Sequence, residues 1–314
     1  MRAGLVLDTA GEPGNTADEA RRAERLGYDV VAATEHVFFH GPVSNTFVTL
    51  AAAAAVTERV RLLSTVTILP MYPMALAAKM TATLDRVSHG RFELGVGVGG
   101  EYPPEFAANG VEVAGRGART DEALGVMLRL LSGARVTAEG QFGSLQDLRL
   151  DPPPVQQPHP PLWVGGRKTG AMRRAARFAD VWMPYMVSPQ SFARSLAEVR
   201  ALAAAAQRPA AALAGALFIW GSVDRDPARA RRETVDMVSR VYSQDFGPLA
   251  DRYLLHGDPD MVAGRLAEYH AAGVDTVIFS AACTPERWRQ APTWLLRSSP
   301  SRDPAAGEGG SCST

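Results

Sequence analysis

Short apolar runs alternate along the chain with stretches whose apolar positions recur at helical spacing, the pattern of βα units on a parallel sheet. The run AGLVL at 3–7 predicts a first strand. It is followed by TADEARRAERLG, where Thr16 and Glu19 match a capping box and Gly27 supplies a stop. DVVAAT, VRLLSTVTIL and RFELGVGVG predict strands two to four, with helices near 46–57 and 73–87 between them. A fourth helix is expected over 119–131. The stretch VTAEGQFGSLQDLRLDPPPVQQPHPP then breaks the rhythm with hairpin-like alternation and a proline cluster, and reads as an insertion. The rhythm resumes with PLWVGG, a helix over 169–178, DVWMPY, a helix over 189–206 and AGALFIWG. Helical stretches over 227–242 and 259–272 lead to the last strand, TVIFS. Eight strands alternating with helices predict an α/β protein, a (β/α)8 TIM barrel with an insertion between strands four and five, because an open doubly wound sheet usually has fewer strands. The barrel is expected to occupy 1–297, and the Ser/Pro/Gly-rich residues 298–314 a disordered tail.

Composition narrows the class of partner. The 33 Lys and Arg balance 33 Asp and Glu, so no broad field favours nucleic acid or an anionic membrane, and a small molecule is the expected partner. With 46% hydrophobic and 21% charged residues the chain can fill a sizeable core. Two cysteines, Cys283 and Cys312, build no disulfide framework, and no segment has the length of a bilayer span. A soluble, cytoplasmic protein is expected.

Chemistry in such a barrel sits at the C-terminal ends of the strands, which sorts the candidate residues. Asp85, His89 and Arg91 precede strand four, so a turn and an ion pair on the opposite face are expected of them. Strand two ends in Thr34-Glu35-His36, with His40 four residues on, placing a carboxylate and an imidazole at the catalytic rim. Gly41 and Pro42 make this a loop, not a helical zinc motif, and no metal is expected. Strand four runs into GVGVGG, which contains GxGxxG, but Glu101-Tyr102-Pro103-Pro104 follows where a dinucleotide fingerprint needs a helix start. Gly97 and Gly99 either let a planar ligand approach or serve tight packing. A better anion site is Gly165-Gly166-Arg167-Lys168-Thr169, where free N–H groups, a helix start and two cations converge. Trp182, Tyr185, Met186 and Trp220 make the remaining rim apolar and aromatic, suited to a flat cofactor.

These residues resemble the bacterial luciferase-like oxidoreductases, barrels that use reduced FMN or the deazaflavin F420. The resemblance is carried by ATEH, TLDRVSHGRFELGVGVGG, RGARTDEAL and PPLWVGGRKTGAMRRAARFADVWMPY, in that order, and spans the chain to about Arg297. It implies a flavin ring at the barrel mouth and a phosphate at Gly165 and Gly166, with Arg167 and Tyr185 also on the cofactor. It further implies a non-prolyl cis peptide at Thr65-Val66 and an acidic-His pair, Glu35 and His36, facing the ring as the catalytic residues. His40, Glu101, Tyr102 and Trp220 are the expected substrate-side residues. The sugar-phosphate branch of the F420 enzymes has Asp before the His and Trp four residues beyond it; here those positions are Glu35 and His40. The expected function is therefore a flavin-dependent monooxygenase. Reduced FMN would come from a separate flavin reductase, and O2 would oxygenate a small, hydrophobic, polyketide-like substrate. The alternatives are an F420-dependent oxidoreductase that moves hydride without O2, and a non-catalytic flavin-binding protein. A homodimer is expected.

Overall fold

The computed structural model of the chain describes residues 1–8, 14–209 and 212–284, and in them the strand–helix alternation closes into a barrel. Its staves are β1 (Arg2–Val6), β2 (Val30–Ala33), β3 (Arg61–Ser64) continued by β4 (Thr67–Ile68), β5 (Phe92–Gly97), β8 (Leu162–Gly165), β9 (Val181–Met183), β10 (Ala214–Val223) and β12 (Thr276–Ala281). Each pairs in parallel with the next, β9 with β10 and β10 with β12, and β12 returns to β1 from Arg2↔Thr276 to Leu5↔Phe279. The period of two along each strand sorts the side chains. Val30, Ala32, Leu63, Trp163, Val181, Met183, Ala216 and Ile278 fill the interior, while Val31, Ala33, Leu62, Leu217, Val277 and Phe279 face the helices. The barrel is thus a packed core, and a ligand would sit above its last interior layer rather than within it.

The outer ring is formed by α1 (Asn15–Leu26), α2 (Thr46–Ala54), α3 (Met74–Val87), α5 (Arg116–Leu131), α6 (Thr169–Phe178), α7 (Pro189–Ala205) and α10 (Pro259–Ala271). The expected insertion is an antiparallel hairpin, β6 (Arg135–Glu139) and β7 (Ser144–Arg149), between the fourth and fifth staves. Its turn hangs on α5, where the Glu122 carboxylate accepts the N–H groups of Gln141 and Phe142 at 3.0 and 2.9 Å. A second departure from the barrel rhythm joins β10 to α10. It contains α8 (Pro227–Tyr242), α9 (Ala250–Tyr253) and β11 (Leu255–Gly257), which pairs with the overshooting end of β10 at Gly221–Val223. This excursion packs its own apolar cluster, Val238, Phe246, Ala250 and Leu254 with Met186 and Ala282.

Several local expectations need correction. The third run is two strands rather than one, broken at Thr65-Val66; the peptide there is cis, as the resemblance implies. The fifth helix of the chain starts at Arg116, three residues before the expected Arg119. Thr16 and Glu19 form no capping box: α1 starts at Asn15 behind Gly14, and Glu19 instead accepts the Asp8 N–H and the Asn15 amide at 2.8 and 3.2 Å. Asp85 and Arg91 lie at the bottom face as expected, but they serve backbone groups and do not bond to each other. Asp85 accepts the Val155 and Gln156 N–H groups, and Arg91 donates to the carbonyls of Ala54, Thr57, Val60 and Ser88. No helix among the described residues is long and apolar enough to cross a membrane. The expected tail, 298–314, and the barrel's expected last stretch, 285–297, lie outside the described residues.

Candidate functional site

A cavity of 1120 Å³ opens at the C-terminal ends of the strands. Its floor is the top interior layer, where Val66 sits between two glycines. A Cβ at Gly97 would lie 2.5 Å from Val66 Cγ2, and one at Gly165 would lie 3.0 Å from Cγ1. Gly97 and Gly99 both line the cavity and both are tightly packed from behind, since at Gly99 a Cβ would meet Ile68 at 2.7 Å. Beside Val66, Thr65 lines the cavity, and its hydroxyl is buried with no partner among the described residues. Such an orphan costs free energy unless a ligand completes it.

One end of the cavity is built for an anion. The first turns of α5 and α6 both border it, behind Gly115 and Lys168, neither of which caps its helix with a side chain. The N–H groups of these turns have no acceptor within their own helices, and the positive helix ends add to the field. Arg116, Lys168 and Arg174 line the same cavity; Arg174 is anchored by Asp121 and the Gly117 carbonyl, and Arg116 by the carbonyls of Gly99 and Val113. Two expectations about this turn shift. The Gly166 N–H is not free, since it donates to the Met183 carbonyl at 3.3 Å. Arg167 is turned away from the helix start, donating to the Met186 carbonyl at 2.6 Å and lying over the Tyr185 ring. Gly170, in the first turn of α6, has open space where a Cβ would be.

The other side carries the titratable groups. His36 stands three residues beyond the end of β2; its Nδ1 lies 3.0 Å from Glu105 of α4 (Pro103–Ala108), and its ring stacks on Phe39 with centroids 4.0 Å apart. Glu35 is only 4% exposed and accepts the Tyr72 hydroxyl at 3.0 Å and the Ile68 N–H at 3.3 Å. Asn45, which caps α2 through the Val48 N–H, donates to the Tyr72 hydroxyl at 2.9 Å and so extends this chain to the surface. Burial pushes the Glu35 carboxyl up to about 7, and the Glu105 charge adds to the rise against the opposing hydrogen bonds. Glu35 and His36 therefore point to different partners despite being adjacent in sequence.

The rim is aromatic. Phe39 meets Tyr242 of α8 edge-on at 6.2 Å, and the Trp220 indole N–H reaches the Tyr242 hydroxyl at 3.4 Å. The Tyr185 hydroxyl donates to Glu101 at 3.1 Å, and burial pushes the Tyr185 phenol up, so it stays a donor. His40 is exposed and rests against Phe39 and Tyr102; Tyr102 packs outside the cavity. Glu105, Arg116, Arg174 and the α8 wall of Met237, Arg240, Val241 and Tyr242 are the parts that sequence reading missed. Arg116 and Arg174 both stand inside stretches that carry the resemblance, RGARTDEAL and PPLWVGGRKTGAMRRAARFADVWMPY.

The sequence profile of the family described as luciferase-like monooxygenase matches residues 2–276. Among curated proteins, the uncharacterized protein Mb0965c of Mycobacterium bovis is 37% identical over 161 residues, which cover 51% of this chain and 54% of that protein. The chain thus spans about half the length of the curated relatives it matches. The crystal structure of monooxygenase RslO1 from Streptomyces bottropensis is 27% identical, with a TM-score of 0.79 over 95% of this chain and 98% of that one. The coenzyme F420 dependent tetrahydromethanopterin reductase of Methanopyrus kandleri shares the fold at 19% identity, with a TM-score of 0.79 over 95% and 97% of the two chains. The match along the chain and the closed barrel agree: this protein belongs to the luciferase-like monooxygenase family.

Proposed function

We propose that the protein is a flavin-dependent monooxygenase that takes reduced FMN from a separate reductase and oxygenates a small hydrophobic molecule. The observation that carries this reading is the polarity of the cavity, with two helix starts and three cations at one end and His36 under an aromatic rim at the other. Its 1120 Å³ exceeds the range of about 300–1,000 Å³ typical of a single ligand, leaving room for a substrate beside a cofactor. The monooxygenase at 27% identity supports the choice of chemistry.

Reduced FMN, when bound, supplies the activation of O2. The chain's own residues do the rest. The helix starts with Arg116, Lys168 and Arg174 hold the phosphate, and Gly165 and Gly166 shape the turn that leads into that site. Val66 supports the ring, with the Thr65 hydroxyl as a donor to it. His36 holds or moves a proton on the substrate side, and Glu35, near neutrality, is a second proton store. Arg167 fixes Tyr185 and so acts on the rim, which with Phe39, Tyr242 and Trp220 keeps water out. Glu101 and His40 face the substrate.

Anaerobic titration with reduced FMN and with reduced F420, followed by O2 and a panel of hydrophobic, polyketide-like compounds, tests the proposal. FMN binding with O2-dependent product supports it. Preference for F420 with no oxygenated product moves the protein to the deazaflavin reading, and FMN binding without any turnover leaves a flavin-binding protein. The phosphate assignment has its own test. Gly170→Leu places a side chain in open space in an ordinary helical turn, so it should leave thermal stability intact yet weaken FMN binding at least tenfold, about 1.4 kcal/mol. Unchanged affinity by fluorescence titration would remove the α6 turn from the site.

A further inference from the structure

We propose that Glu105 is a positioning residue for His36: its carboxylate fixes the imidazole as the tautomer protonated on Nδ1, so that Nε2 is the nitrogen available for proton transfer. The inference rests on the reading of His36 as the proton-moving group.

Glu105 is fully buried in the first turn of a six-residue helix, and its two oxygens have different tasks. Oε1 lies 3.0 Å from His36 Nδ1, while Oε2 accepts the N–H groups of Val37 and Phe38 at 3.1 and 3.3 Å. One carboxylate therefore holds both the ring and the backbone that carries it. An imidazole is more basic than a carboxyl by about two units, so the proton in the Oε1 bond belongs to the ring, in its neutral form as well as its cation. Phe39 supplies the second constraint. Stacked at 15° on the imidazole, it sets the ring plane, while the Nδ1 bond sets the rotation within that plane. Nε2 is left as the ring nitrogen with no protein partner among the described residues, on a side chain that lines the cavity. In neutral His36 that atom is a base; in the cation it is an acid.

The division of tasks makes the assignment testable. In Glu105→Gln, a carboxamide oxygen at the Oε2 position keeps both loop bonds, while the amide nitrogen at the Oε1 position can only donate. Nδ1 must then accept, and the proton moves to Nε2. The loop is conserved and the tautomer inverted, which separates positioning of the ring from mere support of the backbone.

The experiment is long-range 1H–15N spectroscopy of 15N-histidine-labelled protein at about pH 8.5, two units above the ordinary imidazole value of about 6.5. The signal of His36 is identified by its loss in His36→Asn. Expected are the Nδ1–H form in the wild type, the Nε2–H form in Glu105→Gln, and unchanged Val37 and Phe38 amide signals in the variant. Where turnover is measured, kcat should fall at least tenfold in Glu105→Gln, with KM within about a factor of two. A wild-type His36 protonated on Nε2, or a Glu105→Gln variant that keeps Nδ1–H, overturns the proposal. The wild-type tautomer decides even if the variant does not fold. Because the spectra need no cofactor, failure of the flavin reading shows separately, as absent FMN binding with the tautomers as expected.

Discussion

His36→Ala should lower turnover by roughly 10²-fold or more, the range of lost general acid–base help, while FMN binding stays within about twofold of the wild type. The reason is the contrast between two histidines four residues apart. His36 lies three residues beyond β2, is pinned by Glu105 and is covered by Phe39, so its nitrogen stands in one place. His40 is exposed, and its ring rests only on Phe39 and Tyr102. A group held to a fraction of an ångström can serve a transition state, whereas a loop residue chiefly adjusts the fit of what binds. His40→Ala should accordingly raise KM and leave kcat near normal. Steady-state kinetics with reduced FMN in excess, on a substrate found in the panel, checks both. Near-normal turnover in His36→Ala with abolished turnover in His40→Ala would exchange the two assignments.

The second large effect is on stability. The Glu35 carboxyl titrates near 7 in the folded protein and near 4.5 when the chain is unfolded, so the native state binds this proton more tightly. Its contribution is fully present below about pH 4.5 and is lost as pH rises through about 7, in total on the order of 3 kcal/mol. Glu35→Gln keeps a group that can accept from Tyr72 and Ile68 and cannot ionise. Denaturant unfolding of both proteins from pH 4.5 to 8 should therefore show the variant gaining on the wild type across this window. Comparing the two isolates Glu35 from every other titrating group. Parallel stability curves would mean that Glu35 ionises freely where it stands.

Much of this architecture was legible because burial on both faces writes barrel strands as apolar runs, and because helices announce themselves by period. What escaped has physical causes. VRLLSTVTIL has the β-branched and apolar make-up of one continuous strand, so its pattern alone does not mark the break at Thr65-Val66, which only the resemblance locates. Pro103-Pro104 reads as an obstacle to a helix, yet proline is at home in a first turn, and α4 begins there. β11 is three residues long and carries no periodic signal. Glu105 looks like a surface acid in a short helix; its partner lies 69 residues earlier in the chain, and only the folded barrel brings them together. Gly166 was read correctly as a turn residue, with φ at +111°, but its N–H was already taken by the neighbouring strand. Of the cations that reach the anion end, Lys168 belongs to the turn singled out from the sequence, while Arg116 and Arg174 sit on helices where arginine ordinarily faces water.

The α8 wall hangs on little of the barrel. β10 closes the cylinder through its pairing with β12 up to Gly221, and its overshooting end, Gly221–Val223, carries β11. The segment between them packs its apolar cluster on Met186 and Ala282, and reaches the His36 side of the chamber through the edge-on contact of Tyr242 with Phe39. The apparatus for reaction and one wall of the chamber are thus written in separable stretches of sequence. Exchange of residues 224–254 for another segment is therefore expected to change what the chamber admits more than the proposed chemistry beneath it.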